Sequence, residues 1–309
     1  MRACLPTAMA GRHPDMTSTD VQVALTFDFD GYSTWIGSHR ATSPSMLSRG
    51  EFDPIGARRI LRVLEQATIP ATFFVPGHSA LAFPPVVCAF RDGGHEIGHH
   101  GWVHENPVLL TREEERSVLL RGLEALDKVA GVRPSGYRSP AWDNSPSTVE
   151  LLLEFGFEYE SSMMGNDHEP YWCRIGDAWS TSEEFRFGLP VDLVEMPVAW
   201  HLDDFPQFEF LATDKGYLPG GRAPSTVLEI WKAEFDFLYQ RIGSGVMVVT
   251  MHPQIMGRGH RLLMLEEFIR HVASHERAGF TTCQDYVRQW RKGRSPSLPA
   301  DAGDNRLTR

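Results

Sequence analysis

The sequence predicts an α/β protein of seven or eight parallel strands with helices packed outside them, closed into a barrel. Three observations carry this. Short apolar stretches of strand character take turns along the chain with longer stretches of helical spacing, the pattern of parallel βα units. Seven or eight such units over roughly 290 residues suit a (β/α) barrel. Polar residues able to do chemistry also collect where the strands should end, and barrels of this kind place their sites on that rim. An open, doubly wound sheet is the alternative that the same alternation permits.

Val21, Val23, Leu25 and Phe27 alternate with Gln22, Ala24 and Thr26, so the first strand runs straight into Asp28. After a long loop, Asp53 followed by Pro54 reads as an N-cap with proline at the first helical position, and Ile55, Ile60, Leu61 and Leu64 keep helical spacing. The segment 71–75 (ATFFV) is a short buried strand and 95–98 a shorter one. Thr111 with Glu114 forms a capping box for a helix ending at Gly131. Ser145 and Pro146 open a helix that stops at Gly156, and FEYESS after it reads as a strand. The clearest buried strand is GVMVVTM at 245–251, and Gly279 before FTTC reads as another helix–glycine–strand junction. Two stretches, 31–52 and 201–223, exceed usual connection lengths, as functional loops often do.

With 42% hydrophobic and 23% charged residues among 309, the chain can bury a large core. Forty acidic against 30 basic residues give a net charge of −10, which argues against nucleic acid as a partner. Four well-separated cysteines (Cys4, Cys88, Cys173, Cys283) suggest neither a disulfide framework nor a cysteine zinc site, and reduced thiols in a cytoplasmic protein fit them. The chain shows no leader-like apolar run and no membrane span, so a cytoplasmic location and no membrane partner are expected. Residues 1–20 read as an N-terminal extension, 21–290 as one barrel domain and 291–309 as a disordered tail too polar to offset the entropy of ordering it.

The pattern HxxxH occurs three times, as His95/His99, His100/His104 and His271/His275. His271 and His275 lie on an amphipathic helix beside Glu267 and Arg270 and read as a solvated face. HEIGH at 95–99 matches the zinc-protease pattern, but Gly93, Gly94, Gly98 and Gly101 oppose the continuous helix which that chemistry requires. His100 and His104 instead follow a strand, and Asp30 beyond the first strand end could join them as a metal-binding triad; solvated or core histidines are the bland alternative. Asp28 and Asp30 flank Phe29, so an extended chain sends both carboxylates to one side, as a general base beside a metal ligand or as a pair of turn formers. His252, after an apolar strand, reads as a general acid or a satisfied core histidine, and Arg138 as an orienting residue or a surface partner of an acid.

These segments resemble the polysaccharide deacetylase family, carbohydrate esterase family 4, over about residues 21–285. TFDFD at 26–30 is similar to its early aspartate motif with the spacing changed by one, GHEIGHHGWVH at 94–104 to its histidine motif, RSPAW at 138–142 to its groove motif and VMVVTMHP to its late histidine motif. The family's aspartate–tryptophan motif is replaced by LVEMPVAWHLDDFP. That segment, with DFDGYSTW, LSRGEF and HPQIMGRGHR, resembles a cytoplasmic branch of Helicobacter-type peptidoglycan deacetylase homologues and enzymes that open cyclic imides or ureides.

The resemblance implies a distorted (β/α) barrel and one divalent metal ion, zinc first, held by Asp30, His100 and His104. It implies Asp28 as base, His252 as acid and Arg138 as their orienting partner, with Glu195, Asp203 and Asp204 as candidates to tune His252. Tyr32, Trp35 and Trp142 are expected to contact substrate together with those three carboxylates. The expected reaction is hydrolysis of a non-peptide carbon–nitrogen bond in a small cyclic imide or ureide, or in an N-acetylated sugar. The aromatic loops, which include Phe52, Phe205, Phe208, Phe210 and Tyr217, should narrow the pocket, or else bury a subunit interface of a homo-oligomer. A non-haem iron oxygenase using the same three ligands and a non-catalytic sugar-binding barrel are the rival readings.

Overall fold

The computed structural model describes residues 20–209 and 220–299, with the backbone of 211–213 and 216–218. The expected N-terminal extension through Thr19, the end of the tail from residue 300 and the side chains of Phe210 and Tyr217 lie outside the described residues. The chain opens with strand β1 (Val21–Asp28), followed by helices α1 (Pro44–Glu51) and α2 (Asp53–Ala67). Next come β2 (Thr72–Val75), α3 (Gly77–Ala82), α4 (Pro84–Asp92), β3 (Glu96–His99), α5 (Arg112–Ala130) and β4 (Gly136–Tyr137). Helix α6 (Thr148–Phe155) leads to β5 (Tyr159–Glu160), β6 (Tyr171–Ile175) and β7 (Leu189–Glu195). Helix α7 (Asp204–Phe208) precedes a small hairpin of β8 (Leu211–Thr213) and β9 (Gly216–Leu218). Helix α8 (Pro224–Phe237), β10 (Gly245–Met251), α9 (Pro253–Met256), α10 (Gly259–Ala273), β11 (Ala278–Thr281) and α11 (Cys283–Trp290) complete it.

The main sheet has the order β10–β1–β2–β3–β4–β5–β7–β6, with β11 also pairing β1, and only β6 runs antiparallel to its neighbour. The free margin of β10 is met by two irregular segments: Thr250 bridges Asp203, and the Val246 N–H donates to the carbonyl of His168. The sheet therefore curls into a distorted barrel that is closed by loop backbone instead of by a full strand. Among the described residues eight of the nine strands of this sheet run parallel, as expected, and the antiparallel β6, which pairs with β7, is the addition. No helix among the described residues is long and apolar enough to cross a membrane.

Burial explains the register. Along β1, Val21, Val23, Leu25 and Phe27 pack with helix residues such as Ile60, Leu64, Phe235 and Phe268, while Ala24 joins an inner cluster with Phe74, Tyr159, Val194 and Val248. The two-residue period thus divides the strand between an outer helical layer and the barrel interior. Continued along β1, it puts Thr26 and Asp28 on the interior side with Ala24.

Local signals behave as their chemistry requires. Thr111 and Glu114 form the reciprocal capping box of α5, which ends on Gly131 at φ 63°. Gly156 ends α6 in the same left-handed conformation, φ 77°. The segment 96–99 is a strand, which removes the helix that the HExxH reading needs. Two expectations are corrected. Gly279 lies inside β11, and α10 ends earlier, on Ser274. Asp53 is the first helical residue and not the N-cap, and its buried carboxylate accepts instead from the distant Gly31 N–H.

Helix α5 presses on the segment that follows β3. Gly122 makes this possible: a Cβ there would run into the His99 ring and the Gly101 carbonyl. The Gly122→Ala protein should accordingly lose about 1–3 kcal/mol, as overpacking of a tight contact does. Urea unfolding should show a lower midpoint with an unchanged slope; an unaltered midpoint would mean that α5 does not constrain this segment.

Candidate active site

The carboxyl ends of the parallel strands form one rim, and the candidate residues stand on it. Asp28 is the last residue of β1 and Asp30 follows two residues on; His100 follows β3, Arg138 follows β4 and His252 follows β10. All are buried. Gly101 (φ 72°) turns the chain after His100, and His104 itself sits at φ 63°, an uncommon conformation for a histidine, which returns its ring beside that of His100 at 4.9 Å between centroids.

His100 Nε2 lies 3.6 Å and His104 Nε2 3.8 Å from the same Asp30 Oδ1. The ligand atoms of the three residues are all within 4.8 Å of one another. Hydrogen bonds fix the tautomers. His100 Nδ1 is 2.7 Å from the Arg138 carbonyl, so it carries the proton and Nε2 keeps the lone pair. The Ser38 hydroxyl donates to the His104 carbonyl (2.9 Å) and must therefore accept from His104 Nδ1–H (2.6 Å), which leaves that Nε2 free as well.

Both Asp30 oxygens and His100 Nε2 are buried without a hydrogen-bond partner. Burial pushes the Asp30 carboxyl well above its usual range, against the pull of His252, and presses His104 well below its ordinary value. Two neutral imidazoles and an unsatisfied carboxylate facing one point are a donor set suited to a divalent cation, whose charge would reverse the penalty on Asp30.

Asp28 belongs to a different network. Its Oδ1 accepts from Arg138 Nη1 at 2.9 Å, and Oδ2 lies 3.8 Å from His100 Nε2. Burial alone would raise its pKa, but the Arg138 guanidinium, with His100 and His252, outweighs that and holds it below the usual value. Arg138, itself fully buried, also donates to Thr26 Oγ1 (2.8 Å), the Ser161 carbonyl (3.0 Å) and Ser161 Oγ (3.0 Å).

Across the rim, His252 Nδ1 is 2.7 Å from Asp204 Oδ1, and Asp204 also accepts from the His252 backbone N–H. Burial works against the imidazolium, yet the Asp204 hydrogen bond and charge, then Asp203 and Asp30, raise it well above its ordinary pKa. Asp203 lies farther off, 3.8 Å from Nδ1, and its own carboxyl is pushed up to about 7, first by burial.

These groups share a cavity of about 200 Å³, lined by Asp28, Asp30, His100, His104, Asp203 and His252 together with Thr34, Ser38, His39, Ala141, Trp142, Trp200 and Phe205. Half-exposed Trp200 packs at a 36° tilt against buried Trp142, with 4.4 Å between ring centroids. Four expected contact residues, Trp35, Tyr32, Glu195 and Asp204, are not among those lining this cavity; Asp204 is taken up by its hydrogen bond to His252. Trp35 is core, its Nε1–H donated to Gln254 and its ring under the Arg49 guanidinium. Tyr32 stacks on Phe83 instead. Glu195 points into a buried cluster, where it accepts from the Ser162 and Met163 N–H groups, so Asp204 and not Glu195 is the partner of His252.

Sequence reasoning missed Ser38, Ser161 and the support given by Asp53, because each acts on a residue far along the chain. Trp200 carried a signal, standing in the same run as Asp203 and Asp204.

The polysaccharide deacetylase family profile matches residues 15–159. The peptidoglycan deacetylase of Helicobacter pylori is 36% identical over 285 residues, covering 88% of this chain and 97% of that protein. A peptidoglycan deacetylase-like protein of Gibberella zeae is 27% identical over 295 residues, covering 87% and 86%. Among solved structures, one from Mycobacterium smegmatis assigned to the polysaccharide deacetylases aligns with a TM-score of 0.80 at 35% identity, covering 96% of this chain and 98% of that one. An allantoinase aligns at 0.71 with 22% identity, covering 94% and 99%, a likeness of fold. Identity sustained over nearly the whole Helicobacter protein, with the profile match across the first four strands of the rim, places this chain in the polysaccharide deacetylase family, hydrolases of non-peptide carbon–nitrogen bonds.

Proposed function

We propose that this chain hydrolyses the carbon–nitrogen bond of a small, uncharged amide, with a cyclic imide or ureide ranked ahead of an N-acetylated sugar, and that zinc is its metal. The observation that carries the reading is the convergence of an unsatisfied Asp30–His100–His104 cluster, a low-pKa carboxylate and a high-pKa imidazole on one cavity. A divalent metal held by the three ligands supplies Lewis acidity, making water more acidic and stabilising negative charge on the carbonyl oxygen. Asp28, kept ionised by Arg138, takes a proton from the attacking water as it adds to the carbonyl carbon. His252, kept protonated by Asp204 through Nδ1, donates its other ring proton to the nitrogen as the carbon–nitrogen bond breaks. The oxygenase reading gives neither of these two groups a task.

The ranking of substrates rests on size and charge. At about 200 Å³ the cavity is smaller than the pockets that hold drug-sized ligands and suits one small ring. Among the described residues its lining has carboxylates and no lysine or arginine, which disfavours an anionic substrate. The aromatic rings of Trp142, Trp200 and Phe205 along its lining suit the flat faces of a small ring.

Purified protein should carry about one divalent ion at this cluster, and His104→Ala should lose it, since one of three protein ligands is gone. Elemental analysis reads this; an unchanged ion content in folded His104→Ala protein would remove His104 from the site.

Asp28→Asn and His252→Ala should keep the ion while kcat falls on the order of 10² to 10⁴. The pH profile tests the acid separately. Because the His252 pKa is raised, the imidazolium is present below that pKa and rate is lost as pH rises through it. Asp204→Asn removes the group that raises it, so the alkaline limb of kcat/KM should move to lower pH; a limb that stays in place would exclude His252 as the acid.

Metal-loaded protein tested on five- and six-membered cyclic imides, ureides and N-acetylated sugars should open the rings faster. Acetate release from chitin oligomers without ring opening would reverse the ranking.

A further inference from the structure

His271 and His275 are partly buried on the face whose Glu267 and Arg270 are exposed, so the solvated-face expectation holds only in part. His271 lies near the end of α10 and His275 one turn on, and both face Asp236 of α8 with one ligand atom from each residue within 4.8 Å of the others. His271 Nε2 is 2.8 Å from Asp236 Oδ1, and the two rings are 5.0 Å apart. His275 Nδ1 is 2.9 Å from the His271 carbonyl, so Nδ1 carries the proton and Nε2 the lone pair. A ring N–H given to a backbone carbonyl is how metal-ligating histidines are usually held. Phe235, which is fully buried, lies 5.6 Å from His271 and 5.0 Å from His275, and Tyr239 lies 4.7 Å from His275, so apolar rings wall the cluster on one side.

We propose that this cluster is a second metal site, for zinc or another late first-row divalent cation, which ties α8 to α10 on the outside of the barrel. Two imidazoles and one carboxylate favour such ions over magnesium or calcium, which prefer all-oxygen shells. Of the neighbouring cations, Lys232 pairs with Glu267 (2.7 Å) and Arg270 with Glu266 (3.9 Å), while Arg277 pairs with Asp20 (2.8 Å) and also lies over the Tyr239 ring at 5.1 Å. The competing account is an ion pair of His271 with Asp236, next to a histidine favoured at a helix carboxyl end. It explains two of the three residues; the convergence of His275 on the same point is what makes a site. The role is structural, since the cluster shares no residue with the active-site cavity, and the inference does not depend on the reaction proposed above.

Metal-free full-length protein titrated with zinc chloride should bind two ions per chain by calorimetry and by elemental analysis after gel filtration. His271→Ala and His275→Ala should each bind one fewer ion than the parent, keep parental turnover and lose the rise in Tm that the second equivalent gives the parent. His104→Ala should lose the other ion, so the two sites are counted independently. A parent that binds one ion, lost in His104→Ala and retained in His271→Ala, would overturn the proposal, as would a second equivalent that persists in both His271→Ala and His275→Ala.

Discussion

The arrangement of the rim depends on one buried guanidinium. Arg138 has no contact with solvent, and a charge in that position survives only if it is paired and its donors are used. Its N–H groups make four hydrogen bonds, to Asp28, Thr26 and twice to Ser161, and its guanidinium carbon lies 4.2 Å from the Phe74 ring centroid. Side chains and backbone from β1, β2 and the ends of β4 and β5 are thereby fixed to one planar group. Its carbonyl oxygen also receives His100 Nδ1–H. One residue therefore sets the ionisation of the base and the tautomer of a candidate ligand, a coupling that a flexible lysine at this position would not reproduce.

Two carboxylates separated by a single phenylalanine are driven to opposite states by this frame. Asp28 faces Arg138 and sits low; Asp30 lies beyond the guanidinium, meets no donor and sits high. Pairs of titratable groups pushed apart by their surroundings mark a division of labour. Here the low one is fit to accept a proton, and the high one is fit for a cation, whose field would ionise it. The same logic separates Asp203 from Asp204: the hydrogen bond to His252 goes to the second, and the first lines the cavity.

Much of this was legible in the sequence because it is local. The strand at 245–251 has the bounds its apolar run predicts, and the Thr111–Glu114 box and the glycine stops at 131 and 156 follow from chemistry within one turn of helix. The clustering of Asp30, His100 and His104 follows from their places after β1 and β3, the strands on either side of β2. What was not legible depends on contacts between distant segments. Trp35 and Tyr32 stand near the rim in sequence, but whether an aromatic ring faces the core or the cavity is decided by the loop's path past Gln254 and Phe83. Among Glu195, Asp203 and Asp204, the fold chose one through the register of the chain beside β10. Ser38 on His104 and Asp236 beside His271 are 66 and 35 residues from their partners. The β6–β7 hairpin was missed because its pattern lacks the continuous apolar run of a buried parallel strand, half of β7 being partly or fully exposed.

The rim also holds backbone that an isolated chain would avoid. His104, Ala141 and Trp142 adopt φ of 63°, 58° and 53°, a region costly for residues other than glycine, and all three line the cavity. Such conformations persist only where the surroundings over-determine them. For His104 the fixing contacts are both bonds of Ser38. For the turn at 140–142 they are Ser139 N–H on Ser162 Oγ (2.7 Å) and Ser139 Oγ on the Asp143 carbonyl (2.8 Å), which anchor it to the end of β5 and across its own base. The guanidinium is held by Ser161 and the turn by the next residue, Ser162, so the turn that carries Trp142 and the pair that sets Asp28 rest on adjacent serines of one segment. The aromatic side of the cavity and the ionisation of the base are consequently one property of the β4–β5 end, and a change that frees this segment would displace Trp142 and release the carboxylate together.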